Sequence, residues 1–134
     1  MTTQATGTFE VQLQPQGSDD TAEDILLGRL SIDKQFQGDL VATSKGTMLS
    51  AGTAVADSAG YVALERVSGT LHGRTGTFVL QHSGTMTRGT PHLTITVVPD
   101  SGTADLLGLT GTMAIRITDE QHFYDFDYTL TPGP

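Results

Sequence analysis

The chain contains no cysteine, so disulfide scaffolds, zinc–thiolate sites and thiol catalysis are all excluded. Basic residues are scarce as well: seven Lys and Arg stand against fifteen Asp and Glu, a formal charge of −8. No basic stripe is available to neutralise phosphates, and no nucleic-acid partner is expected. There is no tryptophan, and no apolar run approaches the roughly 20 residues that a spanning helix needs, so no membrane partner is expected either. The first nine residues are polar and uncharged, unlike the basic and apolar segments of a secretory signal. These absences predict a cytoplasmic protein of one domain, residues 1–134, long enough to bury a core.

What the chain has in quantity is threonine and glycine, 22 and 16 residues. Gly-Thr recurs at Gly7, Gly46, Gly52, Gly69, Gly76, Gly84, Gly89, Gly102 and Gly111. Threonine favours strands and glycine punctuates them, so the composition predicts an all-β fold. The irregular spacing of the dipeptides argues against a solenoid or propeller. The stretch Tyr61–Met86 reads as a long hairpin turning at Gly73-Arg74-Thr75-Gly76. That turn sets Leu71 opposite Phe78, Val67 opposite His82 and Glu65 opposite Gly84. Because side chains alternate, Tyr61, Ala63, Glu65, Val67, Leu71, Phe78, Leu80, His82 and Met86 share one mostly apolar face.

In chain order, a first strand over Thr6–Gln14 ends at Pro15, and Gln16–Asp24 is an acidic loop. Asp19, Asp20, Glu23 and Asp24 lack the spacing of a calcium loop and read as a solvated face. Strands over Ile25–Phe36 and Leu40–Ser50 flank a turn near Gln37-Gly38-Asp39, whose register leaves Lys34 and Lys45 unplaced. After the central hairpin, Thr87-Arg88-Gly89-Thr90 turns into a strand carrying Leu93, Ile95 and Val97 inward. A strand over Asp105–Thr118 places Leu107, Leu109, Met113, Ile115 and Ile117 on one face. Asp119-Glu120 turns it back, so that Tyr124 faces Ile115, Phe126 faces Met113, and Arg116 faces Phe123 with Asp125 diagonal to it.

Eight mostly antiparallel strands with one continuous apolar face, and no amphipathic helix to cover it, must bury that face on themselves. A single antiparallel β-barrel of about eight strands does so and removes the sheet edges. A two-sheet sandwich is the alternative. Such a barrel is wide enough to be filled by side chains or to hold one small ligand.

The segments SIDKQFQGDLVATSKGTMLSA, SAGYVALERVSGTLHGRTGTFVLQHSGTM and VVPDSGTADLLGLTGTMAI resemble the DUF3224 family of small bacterial proteins, over about Phe9 to Leu130. The resemblance implies an allene-oxide-cyclase-like, calycin-like barrel, the architecture of plant allene oxide cyclases and dirigent proteins. It carries over no activity and no catalytic residues, and a shared barrel says little about chemistry.

The site therefore has to be sought on the inward face, whose polar members are Tyr61, Glu65, His82, His122, Tyr124 and Tyr128. Glu65 and His82, diagonal neighbours in an apolar interior, are the candidate acid and base. The competing reading makes them a mutually satisfied structural pair. Tyr61, Phe78, His122, Tyr124 and Tyr128 are the candidate ligand-binding residues. His72 and His92 point outward and His82 inward, so no three-histidine metal site is expected, nor any cofactor. Gly69 and Gly84 lack side chains on the inward face and are expected to leave room there. Arg66 faces outward beside Gln81 and Ser83, and outward Val62, Leu64 and Val79 suggest a homo-oligomer. Three functions follow: a module binding a small hydrophobic molecule, a cofactor-independent isomerase or cyclase using Glu65 and His82, or a filled barrel with a structural role.

Overall fold

The computed structural model describes residues 2–22 and 25–130, the side chains of residues 17–22 excepted. Among the described residues eight strands follow one another: β1 (Thr3–Ala22), β2 (Ile25–Gly38), β3 (Leu40–Thr53), β4 (Ala59–Leu71), β5 (Arg74–Thr87), β6 (Thr90–Val97), β7 (Leu109–Thr118) and β8 (Gln121–Leu130). They form a closed barrel in sequence order, every pairing antiparallel. β1 closes the ring against β8, from Thr3 opposite Tyr128 to Phe9 opposite His122. The seam between β6 and β7 is thinnest, with the single register pair Thr96 and Thr112. The eight-stranded expectation holds, and the sandwich does not.

Short hairpins explain the order. His72-Gly73, Arg88-Gly89 and Asp119-Glu120 are two-residue turns with positive φ at both positions, the twist that continues right-handed strands. The last two turns fall where the sequence places them. The central one does not: it is His72-Gly73, so Glu65 opposes Leu80, Val67 opposes Phe78, and Leu71 opposes Arg74. The expected register is off by an even number of residues, which leaves every side chain on its expected face. Arg66 accordingly lies opposite Val79 and Lys45 rather than beside Gln81 and Ser83.

Three further boundaries differ. β1 does not stop at Pro15; it runs on to Ala22 through register shifts between Pro15 and Gly17 and between Ser18 and Asp20. Bulges tolerate a residue that cannot donate to the ladder. Glu23 and Asp24, and the side chains of Asp19 and Asp20, lie outside the described residues. β3 extends to Thr53, leaving a shorter connection to β4. The strand expected from Asp105 begins instead at Leu109, after a short 3₁₀ turn over Ala104–Leu106. That turn exchanges Leu107 for Leu106: Leu106 is fully buried and Leu107 is exposed. Ile117, expected inside, is exposed near the end of β7.

Successive turns of an antiparallel barrel alternate between its ends. At the end carrying the β2–β3 and β4–β5 turns, the interior is filled. Phe36, Phe78, Tyr124, Phe126 and Leu106 are almost wholly buried, and Phe78 stacks on Phe126 with ring centroids 5.8 Å apart. The segment from Val98 to Gly108 covers this end, the Thr103 backbone donating to Thr77 O at 2.9 Å. The opposite end, with the β3–β4 and β5–β6 turns, is where the site lies.

Candidate functional site

β3 turns small residues inward, Ala42, Ser44 and Gly46, between the long inward side chains of β2 and β4. At Gly46 the backbones touch so closely that a Cβ would sit 2.1 Å from Leu64 O and 2.6 Å from Glu65 Cα. Lys34 of β2 and Glu65 of β4 meet across this low strand. The Lys34 ammonium is 3.0 Å from Glu65 Oε2 and donates to Oε1 at 3.3 Å, with side-chain exposures of 7% and 0%. It also lies 5.0 Å from the ring centroid of Phe9 and 5.8 Å from that of Phe36, a cation–π environment.

His82 of β5 continues the chain. Its Nε2 is 3.6 Å from Glu65 Oε2, and its Nδ1 shares a 3.3 Å hydrogen bond with the Tyr61 hydroxyl. Tyr61, His82, Glu65 and Lys34 thus form one line of contacts from the barrel mouth inward. Burial pushes the Glu65 carboxyl up, but the adjacent His82 imidazole and the Lys34 charge outweigh it and hold the group below its ordinary value. Burial, and then the Glu65 charge, raise the Tyr61 phenol, which keeps its proton. The buried Ser44 Oγ, Glu65 Oε2 and His82 Nε2 have no well-aligned hydrogen-bond partner among the described residues.

Above Tyr61 a pocket of about 640 Å³ opens at the barrel mouth, walled by Met48, Gly52, Val55, Tyr61, Met86 and Leu93 among others. Its lining is mainly apolar. Tyr61 is common to the pocket wall and the buried polar line.

The structure brings Tyr61, Glu65 and His82 together as the alternation of faces requires. It separates the other candidates from them. Phe78 lies in the aromatic stack of the filled end. The Tyr124 hydroxyl accepts from Leu40 N and donates to Gln37 O, each at 2.9 Å, pinning β8 to the β2–β3 turn. Tyr128 shares a short hydrogen bond with His72 Nδ1, and His72 Nε2 lies 3.6 Å from Asp39 Oδ2. His122 packs against Phe9 at 5.1 Å between centroids, on the Lys34 side of the barrel. Gly84 leaves no room: the Tyr61 ring occupies its missing side chain, 2.5 Å from where a Cβ would sit. Gly69 is likewise pressed, by Val41 O and Ala42.

Lys34 is the residue that sequence reasoning left unplaced. It shares parity with Ile32 and Phe36, both buried, and that alternation was the available signal. Lys45 has the opposite parity and is exposed. Ser44 had no signal beyond the same parity rule.

The chain is thus a closed antiparallel barrel with a charged line buried under an apolar mouth. Residues 5–128 match the family described as a protein of unknown function, DUF3224, and the chain belongs to that family. A crystal structure of a protein with unknown function from this family, from Shewanella oneidensis MR-1 at 1.84 Å resolution, is similar throughout. The two are 51% identical with a TM-score of 0.96, over 99% of this chain and 100% of that one. No curated protein matches the chain.

Proposed function

We propose that the barrel binds a small, predominantly apolar molecule in its mouth, with Tyr61 as the polar anchor and His82, Glu65 and Lys34 holding Tyr61 in place. The observation that carries this reading is the sharing of Tyr61 between an apolar pocket of about 640 Å³ and the buried polar line. That volume lies in the range of small-molecule sites, roughly 300–1,000 Å³. Glu65 itself has no exposed side-chain surface, so it acts through His82 and Tyr61. Phe78, Tyr124 and Tyr128 have structural partners in the filled end, which supports leaving them out of the site.

Gly52 offers the test, because a Cβ there meets nothing within 4 Å and the position lines the pocket. Gly52→Phe should fill the mouth without disturbing the strand. Native mass spectrometry of freshly purified protein, and titration with decane and decanol, should show a ligand for the parent and none for the variant. Equal binding by the two proteins would remove the mouth as the site.

A second reading is a cofactor-independent isomerase or cyclase, favoured by the continuity of the Tyr61, His82 and Glu65 contacts. A proton taken from a ligand at the mouth would pass to His82 through the phenol, the imidazolium being stabilised by Glu65. Glu65→Gln should then abolish turnover while leaving binding intact. The eight-stranded ring also supports kinship with allene-oxide-cyclase-like barrels. The cysteine-free composition supports a cytoplasmic location.

A further inference from the structure

The protons of the buried line can be counted. Among the described buried residues the only ionisable groups on Lys, Arg, His, Asp or Glu side chains are Lys34, Glu65 and His82. Lys34 and Glu65 already neutralise each other at 3.0 Å. A cationic His82 would add a second, uncompensated positive charge to this buried site, so the charge-balanced arrangement has a neutral imidazole carrying one proton. Its Nε2 faces the Glu65 carboxylate, an acceptor only, at 3.6 Å. The proton therefore sits on Nε2, because a bare lone pair there would oppose a negative oxygen. Nδ1 is left as an acceptor, and the Tyr61 hydroxyl, 3.3 Å away, must donate to it. The phenol has one proton and has given it inward, so its oxygen presents only lone pairs to anything else.

From this we infer that the mouth pocket selects ligands whose polar end is a hydrogen-bond donor: an apolar alcohol over the ketone or carboxylate of the same skeleton. The inference rests on the proposed binding of an apolar molecule in the mouth and specifies its chemistry. A ketone brings a second acceptor to an oxygen with no proton to share. A carboxylate fares worse, since the Lys34 charge is already paired and the approaching anion also meets the Glu65 charge.

The test is calorimetric titration of the full chain with decanol, methyl octyl ketone, decanoate and decane, which share chain length and differ in the polar end. Decanol should bind roughly three- to tenfold tighter than the ketone, the range one net hydrogen bond gives, and decanoate weakest. In Tyr61→Phe the alcohol should fall to the level of the ketone while decane is unchanged. Binding of decane together with a ketone equal to or tighter than the alcohol overturns the inference and leaves the binding reading standing. Failure of all four to bind overturns both. Nitrogen NMR of His82 in the ligand-free parent protein decides the proton count independently of any variant's folding. A protonated Nε2 with a bare Nδ1 is expected, and the opposite tautomer would overturn the inference.

Discussion

At the scale of single residues, the buried ion pair costs desolvation that its partners must recover. Removing one partner leaves the other charge unmatched, so Lys34→Met should destabilise by about 3–5 kcal/mol in denaturant melts. The double replacement Lys34→Met with Glu65→Leu should recover most of this loss, and a double variant as unstable as the single one would contradict the account. The pair also sets an acid limit. The folded carboxyl of Glu65 is held below its ordinary value, so its contribution is fully present above the unfolded value. That contribution fades as pH falls from the usual carboxylate range towards the lower folded value. Stability measured from neutral pH downward should decline there, and Glu65→Gln should flatten that part of the profile. On the outer face Arg116 bonds Asp125 at 2.7 Å with its own side chain largely exposed. Solvent and salt screen such a pair, so Arg116→Ala should move Tm by no more than about 4 °C. A larger loss would place the pair inside an interface.

At the scale of elements, turns and close strand contacts set the barrel. Glu120 sits at φ 66 in the β7–β8 turn, a conformation that costs a residue with a Cβ and not glycine. Glu120→Gly should therefore stabilise by about 1 kcal/mol, read as a raised denaturant midpoint with unchanged slope. Gly46 is the opposite case. Its neighbours leave no space for a methyl group, and Gly46→Ala should cost roughly 1 to 3 kcal/mol as β3 is pushed off β4 and the Lys34–Glu65 contact opens. Strand identities and two of the three two-residue turns were legible, because alternation and turn chemistry are local. The central turn differs from the expected one because Gly73 and Gly76 both satisfy a glycine rule; in the fold Gly73 takes the positive φ of the turn, whereas Gly76 lies within β5 with Thr103 O packed against it. Leu107 is exposed although period-two alternation puts it inside, because the 3₁₀ turn over Ala104–Leu106 breaks that period.

At the scale of the whole molecule, outward Val62 and Leu64 are 51% and 55% exposed, side by side with Leu49. Burial of such a strip against a second copy would remove apolar surface from water, so a homo-oligomer is the expected state. Sedimentation at micromolar concentration checks it, and a monomer there would refute it. The alternation along β4 and β5 is enough to assign the face of each central side chain: a register slip of an even number of residues leaves the faces unchanged, which is why Glu65, His82 and Tyr61 fall inside together. The same alternation bounded the fold, since one continuous apolar face without a covering helix has to close on itself. Which inward residues meet depends on packing across the barrel. Lys34 reaches Glu65 across a strand that contributes only Ser44 and Gly46 at that level, a relation between β2 and β4 that no local pattern encodes. Tertiary packing also decides which end of the barrel is filled and which is open, because that depends on how the aromatic side chains and the Val98–Gly108 segment pack in three dimensions.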